Sequence, residues 1–143
     1  MRIVLDTNIL LVAISSKSPY YPIFESFLNE EYTLCVTTEI LLEYEEILNE
    51  HRRSEVVTGV LDIIENAPNT LFITRYFEWE LIKVDPDDNK FVDCAIASNA
   101  QLIVTEDKHF NILRQIPFPK VYTQKLEPFI TETLGKEIDI ESK

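Results

Sequence analysis

Carboxylates recur in this chain where short apolar runs end. Asp6 follows Arg2–Leu5. Asp85, Asp87 and Asp88 precede an apolar segment, Asp93 sits inside it, and Glu106 and Asp107 follow Gln101–Thr105. Five glutamates, Glu39, Glu43, Glu45, Glu46 and Glu50, share one stretch between Thr38 and His51. Oxygen donors gathered from distant parts of a chain suit hard divalent cations, Mg²⁺ or Mn²⁺. Such cations in carboxylate clusters serve phosphoryl and phosphodiester chemistry. Other chemistry is thinly represented. The chain has two histidines, His51 and His109, and neither is spaced from a Ser or Cys as a base from its nucleophile. Lys108 and His109 read as solvent-facing.

Each acid also has a structural reading. Asp6-Thr7-Asn8 at a strand-to-helix junction is an ordinary capping sequence; the functional reading makes Asp6 a metal ligand, with Asn8 supporting it from the loop. In a helix over 39–51, Ile40, Leu41, Tyr44, Ile47 and Leu48 form one face. Glu39, Glu46 and Glu50 point away from that face. Glu43 and Glu45 flank it, where a carboxylate can reach a cleft beside the core, and periodicity does not choose between them. Asp93 is surrounded by Phe91, Val92, Cys94, Ala95, Ile96 and Ala97. A helix apolar on nearly every side is buried, and a carboxylate there needs a hydrogen bond, an ion pair or a metal. Asp88 stands where that helix needs an N-cap. Asp107 can also cap a helix, and Thr105 can place a hydroxyl in the same cleft.

The elements that must position these residues follow from pattern and punctuation. Strands are predicted over 2–5, 32–36, 101–105 and 119–122, with at least one more within 70–84. Helices are predicted over 9–14, 21–31, 39–51, 54–66, 89–99 and 124–134, with a short one from Asp107 to Arg114. Thr37 or Thr38 and Ser54 are the expected caps of the third and fourth. The strand runs are continuously apolar, as in a parallel sheet covered on both faces. The expectation is a three-layer α/β/α sandwich with a central parallel sheet of about five strands. Ligands of such sheets bind beyond the carboxyl ends of the strands. The 143 residues fit one domain over 1–134 followed by an acidic tail over 135–143.

Composition removes several classes. With only Gly59 and Gly135, no glycine-rich phosphate loop can be written. The longest uncharged apolar run, Ile9–Ile14, is too short to span a bilayer. Asp6 interrupts any signal-peptide layout, and Cys35 and Cys94 make neither a disulfide framework nor a zinc site. The expectation is a cytoplasmic protein without a membrane association. Twenty-five acids against thirteen bases give a net charge of −12. That suits a cation-gathering site or a basic protein partner and opposes nucleic acid at long range. A basic strip for RNA would have to come from Arg52, Arg53, Lys108, Arg114 and Lys120, each of which also reads as scattered solubilising charge.

Together these residues resemble the PIN-domain family. RIVLDTNIL is similar to its first-strand motif, carrying Asp6 and Asn8. TTEILLEYEEIL resembles its second motif and selects Glu43 over Glu45. DPDDNKFVDCAIASNAQLIVTEDKHF resembles the third and fourth, carrying Asp93 and Asp107, with Asp88 as an added acid. The resemblance spans about residues 1–122 and looks most like the branch of toxins from toxin–antitoxin pairs. It implies a five-stranded parallel sheet and a metal-dependent ribonuclease. Asp6, Glu43, Asp93 and Asp107 would hold one or two Mg²⁺ or Mn²⁺ ions, with Asn8, Asp88 and Thr105 in support. It also implies a homodimer, neutralised by a cognate antitoxin. Two other acid-bearing folds fit poorly. A haloacid-dehalogenase-type phosphatase needs an Asp where Asn8 stands, and a response-regulator receiver needs paired acids after the first strand. The rival from another class is a non-catalytic protein-binding module on the same fold.

Overall fold

The computed structural model describes residues 1–74 and 77–139. Tyr76 and the last four residues of the expected acidic tail lie outside the described residues. The chain runs β1 (Arg2–Leu5), α1 (Thr7–Ala13), α2 (Pro22–Leu28), β2 (Thr33–Val36), α3 (Thr38–His51), α4 (Ser54–Asn66) and β3 (Thr70–Phe72). A 3₁₀ turn over Pro86–Asp88 leads into α5 (Asn89–Ser98), then β4 (Leu102–Val104), a 3₁₀ segment over Lys108–Gln115 and β5 (Thr123–Gln124). A last helical turn, Leu126–Pro128, widens into a π-turn over Phe129–Thr133.

All pairings are parallel, in the order β3-β2-β1-β4-β5. The sheet is the centre of a three-layer α/β/α fold. Ile3, Val4, Leu5, Leu34, Cys35, Val36, Ile103 and Val104 are all buried, which explains their unbroken apolar character. From β1 the chain winds outward through β2 to β3, then returns past β1 to β4 and β5. Parallel crossovers are right-handed, so this reversal makes the carboxyl ends of β1 and β4 a switch point, where an open α/β sheet leaves a crevice. Among the described residues no helix is long and apolar enough to cross a membrane.

Local chemistry explains most boundaries. Thr37 Oγ1 accepts from the Ile40 N–H and starts α3, and Ile40, Tyr44 and Leu48 form its buried stripe. Pro22 opens α2. Asn99, at φ 55°, ends α5 in the left-handed conformation. The expected cap of α4 is corrected: Arg53 holds the N-cap position and Ser54 is already helical, with no side-chain cap bond. The last strand is also displaced from 119–122 to Thr123–Gln124. The β4 register fixes it, pairing Ile103 with Thr123 and Val104 with Gln124, while Tyr122 contributes its carbonyl to the Ile103 N–H. Between β3 and the 3₁₀ turn, Leu81–Val84 forms no strand despite its composition. The Asn89 side chain both accepts from the Ile82 N–H and donates to its carbonyl, at 2.8 and 2.9 Å. An amide side chain thus replaces a strand neighbour there.

One buried bond fixes α3 against β1. The Tyr44 hydroxyl donates to the Leu5 carbonyl at 2.6 Å, and burial pushes its pKa well above the usual value. This anchor sets Glu43, one residue earlier, relative to Asp6, one residue later. Tyr44→Phe should therefore cost about 1–2 kcal/mol, read as a lower denaturation midpoint with an unchanged m-value in urea.

Candidate metal and active site

Two adjacent strand ends begin the site. β1 pairs Leu5 with Val104 of β4, so Asp6 and Thr105 emerge side by side. Thr105 Oγ1 donates to Asp6 Oδ2 at 2.7 Å and accepts from the Asp107 N–H at 3.0 Å. One hydroxyl therefore ties both acids together. Asp6 makes no side-chain cap bond to α1, so the capping reading does not account for it. Asp6 is 7% exposed. Burial, followed by the charges of Glu43 and Asp107, raises its pKa above the ordinary carboxylate value against the Thr105 bond. Asp107 combines both of its readings, because Oδ1 also accepts from the His109 N–H at 2.9 Å and caps the 3₁₀ segment.

The turn before α5 adds two more acids. Asp85 caps it through the Asp87 N–H. Asp88 makes no cap bond. Its side chain, 13% exposed, is turned toward the group on the strand ends. Its pKa is pushed up to about 6, by burial first and then by Asp85, Asp107 and Asp6. His109, read from sequence as solvent-facing, is corrected. Its side chain is 35% exposed, and Nδ1 lies 3.4 Å from Asp107 Oδ1, 3.5 Å from Asp88 Oδ2 and 3.9 Å from Asp85 Oδ2. Asp88 Oδ2 and His109 Nδ1 are both shut off from solvent, and neither has a hydrogen-bond partner among the described residues. Asp85, Asp88 and His109 offer atoms within 4.8 Å of one another, a spacing that one ion can bridge.

The other flank is electrically closed. Glu43 Oε2 accepts from the Thr7 hydroxyl, and Oε1 meets Lys90 Nζ at 2.7 Å. Lys90, its side chain only 8% exposed, also reaches the Asp87 carboxylate at 2.8 Å and the Asp87 carbonyl at 3.0 Å. Its three N–H groups thus have three acceptors. Burial works against the ammonium, but Asp87 and Glu43 outweigh it and its pKa is raised. Sequence reasoning passed over Lys90 and gave Asp85 no place in the site beyond the acids that precede α5. The only trace was their place in the D-P-D-D-N-K run.

Asp93 faces elsewhere. It is 3% exposed and accepts from the Trp79 N–H at 3.0 Å. With Glu39, Glu78 and Glu80 it lines a cavity of about 360 Å³. Burial raises its pKa, and the carboxylates acting on it are Glu78, Glu39 and Glu80, whereas those acting on Asp6 are Glu43 and Asp107. The structure thus brings together Asp6, Glu43, Asp88, Thr105 and Asp107, and it sets Asp93 against the segment that crosses α5. Asn8 is exposed at the start of α1. The five residues expected to form a basic strip are partly engaged locally. Arg52 donates to the Leu11 and His51 carbonyls, Arg53 faces Glu55 at 3.7 Å, and Lys120 reaches the Arg114 carbonyl.

The fold has solved relatives. A chain from the crystal structure of VapBC2 from Rickettsia felis, bound to a DNA fragment from their promoter, superposes with a TM-score of 0.59 at 20% identity. The match covers 89% of this chain and all of that one, and it shows a shared fold. No curated protein matches the sequence. The PIN domain family matches over residues 2–109, a span that holds β1, α3, α5, β4 and every acid at the two strand ends. This chain belongs to the PIN-domain family.

Proposed function

We propose that the protein is a metal-dependent endoribonuclease, the toxin component of a toxin–antitoxin pair acting in the cytoplasm as a homodimer. The observation that carries the reading is the convergence of Asp6, Asp88 and Asp107 beside the β1–β4 switch point, with Asp88 Oδ2 unpartnered. Three neighbouring carboxylates repel one another, and a divalent cation removes that repulsion. The residues fit Mg²⁺ or Mn²⁺, because the donors are oxygens and the cleft is anionic. Asp6, Asp88 and Asp107 would hold one or two ions, with Glu43 in reach through water. When bound, such an ion lowers the pKa of a water and offsets charge on a phosphate undergoing displacement.

The chain's own groups prepare that site. Thr105 orients Asp6 with its hydroxyl and holds the Asp107 backbone. Lys90 neutralises Glu43, which keeps the anionic charge concentrated on the strand-end acids. Asp93 serves packing, taking the Trp79 N–H. An antitoxin partner is supported by the fold shared with the VapBC2 chain and by a net charge of −12 that suits a basic protein. The reduced compartment is supported by two free, buried cysteines, Cys35 and Cys94. The same charge favours a second reading, a protein-binding module without catalysis.

The test is cleavage of labelled single-stranded and structured RNA with Mn²⁺ or Mg²⁺. Wild type should cleave and stop on chelation. Asp6→Asn and Asp88→Asn should each lose roughly 100-fold or more. Asp93→Asn, which keeps an acceptor for Trp79, should stay within about fivefold if circular dichroism shows it folded. Loss in Asp93→Asn with retention in Asp88→Asn would restore Asp93 as the third metal-holding acid. No cleavage of either RNA by wild type would favour the binding module.

Stability offers a second check, independent of substrate. Asp88 has a folded pKa of about 6, above the unfolded carboxylate value, so the folded state binds more protons between about pH 4 and 6. Metal-free stability should fall as pH rises through that window and level off above it. Asp88→Asn should abolish this contribution, on the order of 2 kcal/mol, and raise the metal-free Tm at pH 7 by several degrees. It should also remove most of the Tm increase that Mn²⁺ gives wild type.

A further inference from the structure

We propose that His109 is an imidazole ligand in this metal site, joining Asp88 and Asp85, and that it turns the site's preference from Mg²⁺ toward Mn²⁺. The inference rests on the metal-dependent reading above and adds a nitrogen donor to a site expected to be all oxygen. Its basis is geometric. His109 Nδ1 faces Asp88 Oδ2 at 3.5 Å and Asp85 Oδ2 at 3.9 Å, with Asp107 Oδ1 at 3.4 Å on the same side. Two ligands each about 2.1 Å from one ion stand roughly 3.0–3.5 Å apart when they subtend a right or tetrahedral angle. The observed separations are close to that spacing. Asp88 Oδ2 and His109 Nδ1 are cut off from solvent and satisfy no geometric hydrogen bond among the described residues. A buried carboxylate oxygen and a buried ring nitrogen at this separation, longer than an ordinary hydrogen bond, leave room for an ion that both can ligate.

The supporting bonds orient the donors inward. Asp85 spends Oδ1 on the Asp87 N–H, which leaves Oδ2 toward His109. The His109 backbone N–H is fixed by Asp107, which seats the ring at the first turn of the 3₁₀ segment. Lys90 is engaged with Glu43 and Asp87 and does not compete for this corner. The chemistry then sets the selectivity. Mg²⁺ is hard, strongly hydrated and held by oxygen, while imidazole suits first-row transition ions. One nitrogen donor among carboxylates therefore favours Mn²⁺ over Mg²⁺.

The experiment is pulsed EPR on the metal-stripped full chain loaded with Mn²⁺, joined to Mn²⁺ and Mg²⁺ titrations of wild type, His109→Gln and Asp85→Asn. Wild type should show ¹⁴N coupling from a directly bound imidazole. His109→Gln should lose that signal and about tenfold or more in Mn²⁺ affinity, with Mg²⁺ affinity changed less than threefold. Asp85→Asn should weaken Mn²⁺ while keeping the nitrogen signal. Mn²⁺ bound without ¹⁴N coupling in wild type would overturn the role of His109 and leave the carboxylate site standing. No binding of either ion would overturn both, a result that needs no variant to fold.

Discussion

Parallel pairing of β1 with β4 sets Leu5 opposite Val104, and so the next residues, Asp6 and Thr105, leave the sheet side by side. Side chains alternate faces along a strand, so a slip of one residue would turn Asp6 away from Thr105 and from the acids beyond it. The register is held by Ile3, Val4, Leu5, Ile103 and Val104, all fully buried. Each such side chain contributes about 1.5–3 kcal/mol on burial. Burying Asp88 and setting it beside other carboxylates together cost on the order of 2–3 kcal/mol, judged from its pKa of about 6. The strand core outweighs this several times over, so the fold can carry a site that is locally unfavourable.

Within the crevice the charges are unevenly compensated. On one flank Glu43, Asp87 and Lys90 form a closed group in which every ammonium proton has an acceptor. Removing either partner there would strand a buried charge. On the other flank Asp85, Asp88 and Asp107 face a single ring nitrogen, and the pKa values of Asp6 and Asp88 are raised. A fold optimised only for stability would have placed a second Lys or Arg there. Leaving the corner anionic preserves a place where a cation gains what the protein forgoes.

The sequence carried the sheet well because its strands are buried on both faces and read as plain apolar runs. Four of the five strands and the helices α3, α4 and α5 lie within a few residues of their expected spans. The last strand was misplaced because Val121 and Tyr122 have strand chemistry, while the pairing is set by β4, which lies far off in sequence. Of the residues the structure gathers, Asp6, Thr105 and Asp107 were singled out because they follow strands, while Glu43 shared its flanking position with Glu45 and was chosen only by the family resemblance. Asp93 was singled out by a sound premise, that a carboxylate on an apolar helix needs a partner. The partner is the Trp79 N–H, from a segment whose irregular path no periodicity reveals. Asp88 had two readings, a helix cap and a support to the metal site, and Asp85 is the residue that supplies the side-chain cap of that turn. His109 was discounted because its neighbours in space, Asp85 and Asp88, come from another part of the chain.

The acidity of the chain bears on how such a site could meet a polyanion. Of the candidate residues for a basic strip, Arg52 is bound to two carbonyls, Arg53 is paired with Glu55, and Lys120 reaches the Arg114 carbonyl and the Tyr122 ring. Of these three only Arg53 has an acid for a partner; the carbonyl bonds of Arg52 and Lys120 fix where their charges sit without cancelling them. At physiological ionic strength screening limits charge effects to about 8 Å, so repulsion acts mainly once a phosphate is near the surface. Two divalent ions would return only about four charges against a net −12. The remaining deficit cannot steer RNA inward, so phosphate binding has to be concentrated where the cation sits. The same net charge would favour the approach of a basic polypeptide. A partner of that kind would gain most by covering the anionic crevice, which would also bar a phosphate from it. In this reading the surface charge that weakens substrate capture is what makes a basic inhibitor effective.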